Sequence, residues 1–309
     1  MSKKVDIIVV NWNAGILTLQ AVTPYLGFQN NQISCNVIIV DNGSEDDSLS
    51  HLNKKVSNLI PNKENMGFGK ACNQAFLQCN GDYILLLNPD TISSPPVLEK
   101  LVVFLETHPD YAVTGPQQTD EKGNIVTTCG RFPAFSTAVF ELLGLSKVFP
   151  KFFTPVPIMI DWDHKESKDV DHVMGSYMLI RRAVVDITGF MDDDYFVYGE
   201  DIDLSRRIQN AGYKVYFNTD CTIIHEGGGT GHEVKTERLF YSLVSRRIYW
   251  KKHLGKASSF ILTFLSIMVE PILRIIHSSL KEKKLVVKRI TKAYSLYLKK
   301  IFRVGGTLH

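Results

Sequence analysis

Several polar residues stand directly after short apolar runs, where side chains are easily presented to a ligand. Asn11 and Asn13 follow the run from Val5 to Val10, Asp41 follows Asn36 to Val40, and Asn88-Pro89-Asp90 follows Tyr83 to Leu87. A carboxylate accepts hydrogen bonds, including one from the imide N–H of uracil or thymine, and it is a hard-oxygen ligand for a divalent cation. Asn65 and Gly67 precede a further apolar-periodic segment, and glycine lets a backbone approach closely. Glu200-Asp201-Ile202-Asp203 opens a segment with apolar residues at Ile202, Leu204 and Ile208. Acids at a helix start are also favoured by the helix dipole alone. His225 closes the run from Cys221 to Ile224, ahead of a glycine-rich stretch from Glu226 to Gly231.

The runs are short, continuous and rich in β-branched residues, which suits strands buried on both faces of a parallel sheet. Between them, Phe68, Ala71, Cys72, Ala75, Phe76 and Cys79 recur at helical spacing, and Asn65 is placed to cap that helix. Two prolines open another amphipathic stretch at residues 95 to 106, a position helices tolerate. Strand–helix–strand alternation predicts an α/β, doubly wound, mainly parallel sheet with flanking helices. Ligands of such sheets bind beyond the carboxyl ends of the strands, so Asn11, Asp41 and Asp90 are expected in one crevice. No G-x-G-x-x-G follows the first run and no G-x-x-x-x-G-K-[ST] is present, which speaks against a dinucleotide fingerprint and a P-loop.

A length of 309 residues suits one large domain with an extension, and an apolar fraction of 44% supplies a real core. A net charge of +3 excludes a chain that is basic throughout, and no nucleic-acid partner is expected. The five cysteines include no C-x-x-C pair, and Met1-Ser2-Lys3-Lys4 leads straight into the first run. A reduced, cytoplasmic setting without a signal peptide is therefore expected.

Five motifs occur in a fixed order: Val10-Asn11-Trp12-Asn13, Val40 to Ser44, Asn65 to Gly69, Asn88-Pro89-Asp90 and Gly199 to Leu204. In this arrangement the chain resembles family 2 glycosyltransferases of the rhamnosyltransferase-like branch, over roughly residues 4 to 250. The resemblance implies a GT-A fold, with a nucleotide-binding half at about 1–115 and an acceptor and catalytic half at about 116–253. It implies that Asp41 binds the nucleotide base, with Asn11, Asn13, Asn65, Gly67 and Asn88 on the donor side. Asn88-Pro89-Asp90 takes the place of the more familiar Asp-x-Asp, making Asp90 a ligand for Mg²⁺ or Mn²⁺, with His225 as a second. Asp201 is implied as general base, Glu200 as a supporting or acceptor-binding carboxylate, and Asp203 as a structural residue in a surface ion pair with Arg207. The implied reaction is inverting transfer of a sugar, rhamnose from dTDP-rhamnose first and UDP-sugars next, to a glycan or lipid-linked acceptor in cell-surface polysaccharide synthesis. Residues 130 to 169 lack a family match. Their crowd of phenylalanines reads equally as ordinary packing or as an acceptor wall.

Residues 254–309 form a different compositional block, read as a basic amphipathic helical extension. Its apolar part, Ser258 to Ile276, is interrupted by Glu270-Pro271 and Arg274, so it is expected to fall short of a membrane span. The lysines and arginines from Lys281 to Arg303 alternate with apolar residues. They suggest a helix lying on the inner face of an anionic membrane, or packing on the core or in a homodimer. Two rival functions are a nucleotidyltransferase on a related fold and a non-catalytic carbohydrate-binding or scaffold protein. Against the first stands the lack of a glycine-rich N-terminal loop with adjacent Arg and Lys. Against the second stand Asp41, Asp90, Glu200 and Asp201 together.

Overall fold

The structure, a computed structural model, describes residues 2–227, 235–276 and 283–302. Its first half runs β1 (Lys3–Asn11), α1 (Gly15–Val22), β2 (Ile33–Asp41), α2 (Ser48–Leu52), β3 (Leu59–Pro61), α3 (Phe68–Phe76), β4 (Tyr83–Leu87), β5 (Thr91–Ile92), α4 (Pro95–Thr107) and β6 (Tyr111–Thr119). The middle holds β7 (Cys129–Gly130), α5 (Phe135–Leu142), α6 (Leu145–Val148), β8 (Lys168–Val170), β9 (His172–Val173), β10 (Tyr177–Arg181), α7 (Arg182–Thr188), α8 (Glu200–Asn210) and β11 (Lys214–His225). Four helices follow: α9 (Lys235–Tyr249), α10 (Lys256–Met268), α11 (Glu270–Ile276) and α12 (Lys283–Phe302).

The main sheet has the order β3-β2-β1-β4-β10-β6-β11-β5, with β8 beside β11. Strands β3, β2, β1 and β4 are all parallel, as their uninterrupted apolar runs require. Val5, Ile7 and Val9 of β1 face α1, α2 and α4, whereas Ile8 joins the opposite core with α3, α7 and α8. Each such side chain removed from water contributes about 1.5–3 kcal/mol, so this doubly covered sheet is the main source of stability.

Beyond β4 the sheet is mixed. Strand β10 runs antiparallel to both β4 and β6, while β6 and β11 are parallel. The sequence reading took neither β6 nor β10 as a strand. The letters of β6 hide it: Gly115, Pro116, Gln117 and Gln118 interrupt the apolar pattern. Pro116 cannot donate to a ladder, and the register of β11 against β6 shifts just after its partner Asn218. Strand β11 begins at Lys214, well before the Cys221 start expected from sequence.

The C-terminal helices pack on the α/β body. Leu262 of α10 clusters with Ala138 and Leu142 of α5 and with Trp250. Ile290, Tyr294 and Tyr297 of α12 cluster with Leu243 of α9 and so pack on protein, while Leu285, Val287 and Phe302 of the same helix stay exposed. Glu270 and Arg274 do not break the apolar run by facing water. Glu270 turns inward and accepts from Arg246 Nη2 (2.6 Å), Ser266 Oγ (2.8 Å) and Arg274 Nη2 (2.7 Å). With those groups partnered, Lys256–Ile276 is long and apolar enough to cross a membrane by length and composition, contrary to the sequence expectation. The basic residues at 281, 303 and the glycines at 228 to 231 lie outside the described residues.

Candidate active site

Asn11 and Asp41 are register partners in β1 and β2 and leave the sheet at the same edge. Both are fully buried. Asn11 Nδ2 donates to Asp41 Oδ1 (2.6 Å) and Ser44 Oγ (3.1 Å), and Asn11 Oδ1 accepts from Thr18 Oγ1 (2.7 Å). Ser44 Oγ also donates to Asp41 Oδ1 (2.6 Å), while Asp41 Oδ2 accepts from the Ser44 N–H at 3.2 Å. A carboxylate oxygen carries two lone pairs, so Oδ2 retains capacity for a further donor. Asn13 sits at a φ of 52°, a region asparagine tolerates. It locks the two loops together: its N–H donates to Ser44 Oγ (2.9 Å) and its Oδ1 accepts from the Glu45 N–H (2.8 Å).

Asn42, which sequence reasoning left as a turn residue, is the hub of the next loop. It is buried, donates to Asn65 Oδ1 (3.0 Å), and accepts from Asn62 Nδ2 and the Met66 N–H (both 3.1 Å). Asn65 does not cap α3; the cap position is Gly67, and Asn65 Oδ1 accepts from the Gly67 N–H (2.9 Å). Gly67 has a φ of +89°, and a Cβ there would lie 2.5 Å from the carbonyl oxygen of Phe196. The glycine is thus required by the chain's own backbone, and the Phe68 N–H donates to that same oxygen at 2.7 Å.

Strand β5 pairs with the end of β11, setting Thr91 opposite His225. This pairing brings Asp90 Oδ1 to 3.2 Å from His225 Nε2, with both side chains nearly buried. His225 Nδ1 is buried without a hydrogen-bond partner. One carboxylate oxygen and one imidazole nitrogen facing each other suit Mg²⁺ or Mn²⁺. No cluster of three or more His, Cys, Asp or Glu side chains occurs among the described residues, so a cation here would take its other ligands from diphosphate and water.

The neighbouring turn is tied to the start of α8. The Asn88 N–H donates to the Ser176 carbonyl (2.9 Å), and the next residue back, Gly175, donates its N–H to Asp201 Oδ2 (3.1 Å). Asp201 Oδ1 accepts from the Ile202 N–H (2.8 Å) at the start of α8. Asn88 and Asp201, distant in sequence, are therefore two hydrogen bonds apart, and Asp201 keeps partial exposure. Glu200 is different. It is buried, its Oε2 has no partner, and burial together with the adjacent Asp201 charge pushes its pKa up to about 8. At neutral pH Glu200 carries its proton.

A raised folded-state pKa makes the protonated form the stabilising one. Stability from Glu200 is full below its ordinary range and is lost as pH rises through the folded pKa, at most about 1.4 kcal/mol per pH unit. Urea midpoints from pH 5 to 8 should thus fall more steeply for the native chain than for Glu200→Gln. Parallel profiles would remove Glu200 as the group responsible.

Asp203 corrects the sequence reading. It is fully buried, not part of a surface pair. It accepts from Arg207 Nε (2.8 Å), Lys252 Nζ (3.0 Å) and His253 Nε2 (2.7 Å), joining α8 to the turn before α10. Another missed residue is His172. Its ring is buried with neither nitrogen partnered, it lies close over Gly130, and burial holds its pKa down against the pull of the Asp201 charge. It lies just after the stretch without family match, and the ring of Phe132 from that stretch is stacked 6.5 Å away. Of the clustered phenylalanines, Phe132 lies against α8, where Arg206 sits over its ring at 4.9 Å. Phe140 and Phe153 pack edge to face on each other, and Phe152 is exposed.

A parallel nucleotide-binding half joined to an antiparallel return, with acids at the strand ends, defines the GT-A glycosyltransferase fold. The chain is similar over 98% of its length to the mannosyltransferase PcManGT of Pyrobaculum calidifontis, solved with GDP-Man and Mn²⁺ (TM-score 0.56, 13% identity, 88% of that chain covered). It is likewise similar over 94% of its length to S. aureus TarS residues 1-349 with UDP-GlcNAc (TM-score 0.55, 14% identity, 81% covered). The family model for glycosyl transferase family 2 matches residues 6–162, just over half of the chain. The protein belongs to that family and is a glycosyltransferase. Among its relatives is the N-acetylglucosaminyl-diphospho-decaprenol L-rhamnosyltransferase of Mycobacterium tuberculosis, 25% identical over 216 residues (64% of this chain, 69% of the relative). Another is the rhamnosyltransferase WbbL of Escherichia coli, 30% identical over 156 residues (49% of this chain, 55% of the relative).

Proposed function

We propose that this enzyme transfers rhamnose from dTDP-rhamnose, with inversion, to a hydroxyl of a lipid-linked glycan, at the cytoplasmic face of a membrane. Rhamnose as the transferred sugar is supported by the names of both relatives, and a lipid-linked diphosphate acceptor by that of the Mycobacterium tuberculosis relative. The observation that carries the mechanism is the Asp201 carboxylate, oriented by two backbone N–H groups and two hydrogen bonds from the Asn88 turn.

In this reading Asp201 takes the proton of the acceptor hydroxyl. The hydroxyl oxygen forms its bond to the anomeric carbon as the bond to the diphosphate breaks, and the bonding pair leaves with the nucleoside diphosphate. Protonated Glu200 adds no second negative charge beside the base. Asp90 and His225 hold a Mg²⁺ or Mn²⁺ ion, which when bound offsets charge on the departing diphosphate. Asp41 Oδ2 accepts from the base imide, while Asn11, Asn13 and Ser44 fix that carboxylate in place. Asn65, Gly67 and Asn88 shape the donor side through backbone.

Thermal shift with Mg²⁺ or Mn²⁺ and a panel of dTDP-, UDP- and GDP-sugars tests the donor. A ligand at 100 times its dissociation constant adds about 2.7 kcal/mol of stability. The expected result is stabilisation by dTDP-rhamnose that needs metal and disappears in Asp90→Ala. Stabilisation by another nucleotide sugar alone would replace the donor, and metal-independent stabilisation would remove the assignment of Asp90. With donor and acceptor present, release of pyrophosphate in place of nucleoside diphosphate would favour the nucleotidyltransferase rival.

A further inference from the structure

The helix pair α10–α11 has its polarity turned inside out. Toward the protein it buries Ser259, Thr263, Ser266 and Glu270 with Leu262. Toward the outside it presents Phe260 (75% exposed), Ile261, Phe264, Met268, Ile272 and Ile276. At 3.6 residues per turn these six fall on one arc of roughly 160°. A soluble surface helix shows the opposite arrangement, and contiguous apolar patches of this kind mark interaction sites.

We infer that this outward stripe inserts into an anionic lipid bilayer and seats the enzyme in the membrane plane. The inference rests on the peripheral-membrane reading above and adds the surface that performs it. The segment has the hydropathy of a membrane helix, yet it is not free to span. Leu262 is packed against α5, and Glu270 is paired with Arg246 of α9, so one side is permanently occupied by protein. A helix held in that way can offer lipid only its free side, which is the geometry of an interfacial helix.

Charge selects the bilayer. Helix α12 contacts α11, and Val286, Ile290 and Ile275 join one apolar cluster. The exposed Lys256 begins α10 one turn before Phe260, at the edge of the stripe, and α12, which packs against α11, carries the further exposed Lys284 and Lys288. Lysines flanking an apolar face favour a surface rich in anionic headgroups. The start of α6 abuts Leu273 of α11, and the chain just beyond α6 exposes Phe149 and Phe152.

The test is flotation of the full chain with phosphatidylcholine vesicles, with and without phosphatidylglycerol, alongside sedimentation velocity. The native chain is expected to float with the anionic vesicles. Phe260→Ser/Phe264→Ser should float about tenfold less or weaker still, because two exposed aromatic side chains lose their lipid burial. Lys284→Glu/Lys288→Glu should weaken binding only to the anionic vesicles. Both variants change exposed positions, and an unaltered thermal midpoint verifies folding. If the native chain floats and Phe260→Ser/Phe264→Ser floats equally, the stripe is not the membrane face although the peripheral reading stands. If the native chain floats with neither vesicle, that reading falls and the inference with it. A native dimer that becomes monomeric in the phenylalanine variant, without flotation, would assign the stripe to a second copy.

Discussion

Asp201→Asn is expected to lower turnover by roughly 10²–10⁴-fold while leaving metal-dependent stabilisation by the donor unchanged. The asparagine keeps an oxygen for one of the two backbone donors at Gly175 and Ile202, so the side chain stays near its place. What it loses is the charge that accepts a proton. Single-turnover rates with saturating donor, read beside the thermal shift, separate this loss from misfolding or weak binding. Full turnover in the variant would remove Asp201 as base. Burial, the larger cause of the raised Glu200 pKa, would still favour its protonated form in that variant, although the contribution of the Asp201 charge is gone.

Asp203→Ala should destabilise the protein by about 3–5 kcal/mol, the usual effect of taking one partner from a buried ion cluster. The substitution removes the shared, fully buried acceptor of Arg207, Lys252 and the His253 imidazole, leaving Lys252 only Asp192 and Arg207 only the carbonyls of Thr188 to Phe190. Burial alone would raise the Asp203 pKa, but hydrogen bonds from His253, Lys252 and Arg207 outweigh it and hold it down to about 2. A depressed carboxylate contributes above its unfolded pKa and loses that contribution as pH falls through the folded one. The difference between native chain and variant in urea should therefore be full at pH 7 and shrink as the solution is acidified toward pH 2. A difference below about 1 kcal/mol at pH 7 would mean that α8 is held by its apolar side alone.

The nucleotide-binding half was legible because its physics is local. A strand buried on both faces must be written as a continuous apolar run, and the polar residue that ends it is visible by contrast. Asn11, Asp41 and Asp90 were found in this way, and the fold places each where its strand ends. His225 needed the resemblance as well as the run before it. The return strands were harder. Strand β6 crosses the core with Gly-Pro-Gln-Gln in its middle, letters that spell a turn when read alone. Asn42 looked like half of an Asn-Gly turn because nothing local reveals its bonds to Asn62, Asn65 and Met66. His172 had no motif around it at all. Asp203 shows the converse error: its spacing to Arg207 suggests a solvent-exposed pair, and only the packing of the turn at Lys252 and His253 buries it. The inward turn of Glu270 was hidden for the same reason, since its partner Arg246 lies on another helix.

The contact between Gly67 and Phe196 limits how this enzyme can be recombined. The donor loop and the approach to the catalytic helix meet backbone to backbone, with a hydrogen bond from Phe68 and no space for a side chain. A chimera that takes its first half from a relative brings a new donor loop against the resident 196 segment. It can assemble only where that loop supplies a glycine at the matching position and follows the same path. The two segments are thus not freely interchangeable, because the backbone at Gly67 and that at Phe196 must match.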